Sequence, residues 1–185
     1  KFFLNIVNCS YKLNTMKNIL LPLALLISFS SFGQNDQEYL KYFNSGRSKF
    51  QSGDYYGAIY EYTKAIELGE FHPPSLTNRA LAKAKIGDLD SAFDDINYVI
   101  EIVPEFGATY FYRGLIKYEH SEDYYGAISD FLKAIEYYPE DGMYVYYLGL
   151  VKEKIGDFNG ACADYKKSVK LGYQDASKSI NEKCN

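Results

Sequence analysis

The hexamer DYYGAI runs from Asp54 to Ile59 and again from Asp123 to Ile128. Two copies 69 residues apart point to a repeated unit, because 69 is twice 34 plus one. Small residues keep the same step: Gly46, Ala80, Gly114 and Gly149 are separated by 34, 34 and 35 residues. Ala58, Ala92, Ala127 and Ala161 follow at 34, 35 and 34. A third series marks turns at Gly53-Asp54-Tyr55, Gly87-Asp88-Leu89, Glu122-Asp123-Tyr124 and Gly156-Asp157-Phe158.

Each unit reads as two helices joined by a tight turn. In the first, Tyr42, Gly46, Lys49 and Phe50 fall on one helical stripe, and Ala58, Tyr62, Ala65 and Ile66 on another. Between them Gly53 suits the left-handed conformation that ends a helix, and Asp54 suits the cap of the next. Small side chains at Gly46 and Ala58 let the two backbones approach closely. Pro104 and Pro139 stand where helices should stop, since proline lacks the amide hydrogen and clashes inside a helix. The third unit carries one extra residue, expected in the turn at His120-Ser121-Glu122. That residue accounts for the odd interval between the hexamers.

The chain has 185 residues, enough for one domain with a substantial core. Its 20 tyrosines and absence of tryptophan supply rings with a polar tip, suited equally to half-buried helix contacts and to binding surfaces. The first methionine is Met16, and MKNILLPLALLISFSSFGQ follows. Lys17, the apolar stretch Ile19 to Phe29 and small residues at Ser30, Ser31 and Gly33 have the layout of a cleaved secretory signal over 16–33. The stretch is too short to span a bilayer, so no membrane span is expected in the mature chain. Residues 1–15 read as upstream, non-native sequence. Loss of residues 1–33 removes Lys1, Lys12 and Lys17 and no acid, leaving 24 acids against 17 bases. That balance argues against a nucleic-acid partner, which needs a basic stripe.

The repeat markers together resemble the tetratricopeptide repeat family, whose unit is a 34-residue helical hairpin. Gly46, Gly53, Tyr55, Ala58, Tyr62 and Ala65 match its pattern in the first unit, and Ala80, Gly87, Ala92, Ile96, Val99 and Pro104 in the second. Gly114, Tyr124, Ala127, Phe131, Ala134 and Pro139 match in the third, and Gly149, Gly156, Phe158, Ala161 and Tyr165 in the fourth. The family's tryptophan-like position reads Tyr42, Leu76, Tyr110 and Val145. The resemblance covers residues 37–172 and implies an all-α, right-handed superhelical solenoid. Four hairpins are expected over about 37–72, 73–106, 107–141 and 142–174, with a capping helix over 175–185, where Ala176 and Ile180 lie four apart.

If the last repeat helix and the cap run antiparallel about a turn centred on Tyr173, Cys162 and Cys184 lie 11 residues to either side. Equal arms put them together as a disulfide, as an exported protein permits; two unlinked cysteines are the alternative. Neither shows metal-ligand spacing, and no cofactor or metal is expected. His72 and His120 fall in connections and are expected to face solvent. The neighbouring acids Asp94-Asp95 and Glu122-Asp123 are read as solvated faces or caps, no catalytic grouping appears, and the chain is not expected to be an enzyme.

The family resemblance implies a concave groove that takes a peptide or partner helix, with a protein or peptide as partner. One stripe of each first helix is expected to line it: Phe43, Arg47 and Phe50; Thr77, Leu81 and Ala84; Phe111, Leu115 and Tyr118; Tyr146, Leu150 and Glu153. The subclass that grips C-terminal carboxylates is matched here only by Asn78 among Phe43, Arg47, Asn78, Ala108 and Tyr112, so that grip is expected to be missing. The function expected is an exported bacterial interaction scaffold, periplasmic or secreted. The alternative is a carbohydrate or small-ligand binder using Tyr56 and Tyr125.

Overall fold

Glycine and aspartate set the turns. Gly53, Gly87 and Gly156 sit at φ of 83°, 85° and 84°, where a Cβ would clash with its own backbone. One residue on, the carboxylates of Asp54, Asp88 and Asp157 accept from the backbone N–H groups of Gly57, Ser91 and Gly160, filling donors that the first helical turn leaves unpaired.

The computed structural model describes residues 36–68 and 71–184, so the expected signal at 16–33 and the upstream segment 1–15 lie outside the described residues. Helix α1 occupies 36–51. It is followed by α2 (Tyr55–Glu67), α3 (Pro73–Lys85), α4 (Leu89–Ile102), α5 (Gly107–Ile116) and α6 (Tyr124–Tyr137). The last three are α7 (Gly142–Lys154), α8 (Phe158–Lys170) and α9 (Ala176–Lys183). The described residues are helical and connecting, with no strand among them. Odd and even helices pair as hairpins, and each even helix packs on the odd helix that follows.

The third turn departs from expectation. The extra residue does not lengthen the loop; it is taken up inside the helix, where α5 runs on as a π-helical turn over Lys117–Ser121. A π-turn closes over one more residue than an α-turn, so the turn beyond keeps its register. Glu122 takes the glycine's place at φ 54°, and Asp123 caps α6 by accepting from Gly126 N at 2.9 Å.

Size matching holds each hairpin. A Cβ on Gly46 would lie 2.6 Å from Tyr62 Cε1, one on Gly114 2.7 Å from Phe131 Cε1, and one on Gly149 2.7 Å from Tyr165 Cε1. Where the second hairpin has Ala80, the partner is the slimmer Ile96, and both are fully buried.

Apolar clusters then straddle the seams between hairpins. Ala82 of α3 fills the seam that carries Phe43, Phe50 and Tyr62. Ile116 of α5 fills the seam that carries Ala84 and Leu81. Val151 and Leu148 of α7 meet Phe111 and Phe131. Helix α9 closes the last hairpin, Ala176 packing against Ala161 and Tyr165, and a Cys162–Cys184 disulfide ties the two antiparallel arms.

A charged column runs with the repeat: Glu61, Asp95, Asp130 and Asp164 face Lys49, Lys83, Lys117 and Lys152 at 2.9, 2.7, 2.8 and 2.7 Å. Asp95 is thus a buried acid, not part of a solvated face. Two arginines add forks. Arg79 donates Nε and Nη2 to Asp95 and Nη1 to Thr63 of the preceding hairpin. Arg113 does the same with Asp130 and Asn97. Each fork therefore binds two hairpins. In the fourth hairpin the arginine position reads Leu148, and burial, opposed by Lys152, pushes the Asp164 carboxyl above the usual range.

Three stability predictions follow from these contacts. Gly114→Ala should destabilise by roughly 1–3 kcal/mol through overpacking, although alanine favours a helix by about 1 kcal/mol. In a Phe131→Ile background, which reproduces the Ala80–Ile96 pair, the same change should be neutral or stabilising. Urea denaturation of the four proteins checks this, and equal costs in both backgrounds would refute size matching. Asp130→Asn should cost roughly 2–4 kcal/mol at neutral pH by stranding Arg113 and Lys117. Asp164 behaves oppositely: its folded pKa is raised, so its favourable contribution is complete below the ordinary carboxylate range, about pH 4, and is lost as pH rises through the folded value. Stability of the Asp164→Asn protein relative to the parent should therefore rise between acid and neutral pH.

Candidate interaction surface

The first helices of the hairpins form one wall. Helix α3 packs directly on α5, and Lys85 Nζ reaches Glu119 Oε2 of the next first helix at 2.8 Å. Two sequence columns run along this wall. Asn44, Asn78, Tyr112 and Tyr147 recur at intervals of 34, 34 and 35, as do Gln51, Lys85, Glu119 and Lys154. The second column is exposed throughout, while in the first Asn44 is exposed and the other three are half-buried.

The stripe expected to line a groove is brought into order, but most of it meets the following hairpin. Phe43 and Phe50 pack on the cluster that contains Ala82. Thr77 is buried with an unpaired hydroxyl, Ala84 is buried, and Leu81 flanks the seam with Ile116. Phe111, 3% exposed, stacks on Tyr144 with centroids 4.4 Å apart, and Leu115 and Tyr118 flank the same cluster. Tyr146 and Leu150 pack with Ala176 and Ile180 of the cap, and Glu153 accepts from Lys183 Nζ at 2.7 Å and from Tyr165 OH at 2.7 Å. The cause is geometric: successive first helices lie side by side, so the i, i+4, i+7 stripe of one faces the next. Arg47 stays exposed; Leu81, Leu115 and Tyr118 stay half-buried.

The residues that reach solvent beside this stripe are each one position further along: Asn44, Asn78, Tyr112 and Tyr147. The packed stripe Phe43, Thr77, Phe111 and Tyr146 keeps the same intervals, so the repeat spacing alone does not separate the open column from the packed one. At mid-wall the π-turn carries Glu119 and His120, whose Nε2 lies 3.6 Å from Glu119 Oε2. His120 is half-buried rather than fully solvated; burial, aided by Lys85, pulls its pKa down. His72 is likewise half-buried, stacked on Tyr39 at 3.7 Å. Burial raises the Tyr147 phenol, with Glu119 adding to the shift.

Among the described residues no group of three or more His, Cys, Asp or Glu is placed to hold a metal ion, and no helix is long and apolar enough to cross a membrane.

No family model matches the chain. Over 65 residues it is 43% identical to the small glutamine-rich tetratricopeptide repeat-containing protein 2 of Mycosarcoma maydis, a match covering 35% of this chain and 18% of that protein. It is 36% identical over 63 residues to the tetratricopeptide repeat protein 36 homolog of Nematostella vectensis, covering 34% and 35%. The chain thus spans well under two thirds of these curated relatives. Among solved structures, Pseudomonas aeruginosa PilF aligns with a TM-score of 0.67 at 19% identity over 80% of this chain and 72% of that one. MamA from Desulfovibrio magneticus RS-1 aligns at 0.60 and 22% identity over 72% and 75%. The first TPR of Spaghetti (RPAP3), solved with the HSP90 peptide SRMEEVD, aligns at 0.57 and 23% identity over 65% and 94%. Tetratricopeptide repeats carry both curated relatives' names, and the hairpin order, small-residue registers and seams match that architecture; in fold the chain is a tetratricopeptide-repeat solenoid with a capping helix.

Proposed function

We propose that this protein is an exported interaction scaffold whose first-helix wall binds an extended peptide or a partner helix. The observation that carries the reading is the ladder of side chains left open on that wall after the seams are packed. Asn44, Arg47 and Asn78 make its first half polar. Tyr112, Leu115, Tyr118 and Tyr147, edged by Lys85, Glu119 and Lys154, make its second half aromatic. Rings and aliphatic groups in a fixed frame suit the anchors of a peptide, and the flanking charges set its direction. The peptide held by the RPAP3 neighbour supports the use of such a wall for binding.

Export is supported by the leader-like residues 16–33 and by a disulfide, a linkage that persists in oxidising compartments. The carbohydrate reading has one observation in its favour: Tyr56 and Tyr125 are 74% and 76% exposed. They stand on hairpins one and three with a hairpin between them, so the two rings do not close on one small ligand.

Selection of peptides from a displayed library against the purified protein tests the proposal. Selected peptides should lose about tenfold or more in affinity on Tyr147→Ala or Leu115→Arg and be unaffected by Tyr56→Ala. Retention of full affinity in both wall variants would overturn it. The peptide SRMEEVD should give no measurable binding, because Asn78 alone represents the carboxylate grip.

A further inference from the structure

We propose that the Cys162–Cys184 disulfide is a thiol-exchange site, and that its cleavage by an external dithiol unlatches α9 from the last hairpin. A cleft of about 420 Å³ opens onto the two cysteines, bounded by Phe158, Asn159, Ala163, Lys166 and Lys183. Both cysteines are half-buried rather than sealed in the core, and Phe158 at the cleft edge is 62% exposed. Lys166 lines the same cleft, and its positive charge favours the approach of a thiolate and the departure of another, whereas the Lys183 ammonium is paired with Glu153.

The exchange balances without further reactants. One thiolate of the dithiol attacks a bridge sulfur, the S–S bond breaks, and its electron pair leaves on the other cysteine as a thiolate. The second thiol of the reagent, once deprotonated, attacks the mixed disulfide and expels the remaining cysteine. The dithiol ends as a disulfide, and the protein gains two electrons and the two protons the reagent released.

Release of α9 follows from how little else retains it. It has 8 residues, fewer than the roughly 12–15 an isolated helix needs in water. Its buried residues are Ala176 and Ser179. Beyond the bridge its contacts include half-buried Ile180, the Lys183–Glu153 ion pair, a 3.5 Å contact between the Tyr146 and Ser179 hydroxyls and an interaction of Asn181. Its departure would bare Tyr146, Leu150 and Ala161, an apolar face that the oxidised protein keeps covered. The bridge is thus both a staple and a latch.

Dithiothreitol added to the purified, unreduced protein in native buffer provides the test, with thiols at Cys162 and Cys184 counted by mass spectrometry and amide exchange followed along the chain. The expected result is reduction faster than global unfolding, with α9 amides exchanging at least about tenfold faster and protection across α4 to α8 unchanged. A Cys162→Ser, Cys184→Ser protein should show the same α9 exchange without reductant. Lys166→Glu should slow reduction several-fold at low salt, the effect fading at high salt. Thiols appearing only at the unfolding rate, or α9 equally protected in reduced and oxidised protein, would overturn the latch.

Discussion

Everything in this molecule rests on how closely two helices of a hairpin can approach. Where the first helix has no side chain, at Gly46, Gly114 or Gly149, a ring from the second helix lies across the gap, and where it has a methyl, at Ala80, isoleucine replaces the ring. A fixed approach distance puts the following turn, its glycine and its capping aspartate in the same relation each time. That in turn sets the seam the next hairpin must fill. Interiors are packed too densely to absorb a misplaced methyl, so the 34-residue interval is an outcome of packing as much as a trace of duplication.

The charged column works on a second level. Apolar seams are not directional, but the guanidinium forks of Arg79 and Arg113 are, since each must satisfy an acid in its own hairpin and an acceptor in the one before. These pairs fix the rotation of one hairpin against the next. Asp164, which lacks the arginine, shows the cost of burying the acid with less compensation.

Most of the fold was legible because it is written in residues with one strong physical reason to be where they are: glycine for φ near +84°, aspartate at the cap, alanine at close approach. The equal spacing of Cys162 and Cys184 about Tyr173 located the disulfide in the same way. The interaction surface was less legible. Phe111 and Tyr146 look identical in sequence to exposed anchors, and only the placement of the following helix shows that they face it. The same holds for Asp95, which reads as solvated until Arg79 and Lys83 are seen beside it. The third turn failed for another reason: one added residue is equally compatible with a longer loop or a wider helical turn, and the φ of Glu122 decides.

The seams also fix the order of the hairpins. Ala82 is small because two phenylalanines already crowd its seam, whereas Ile116 is large because Ala84 leaves room. A chain shuffled so that the third hairpin followed the first would press isoleucine against Phe43 and Phe50, and the reverse exchange would leave a void. The modules are thus copies in backbone but not interchangeable parts, and side-chain volume at the seams helps to specify their sequence of assembly.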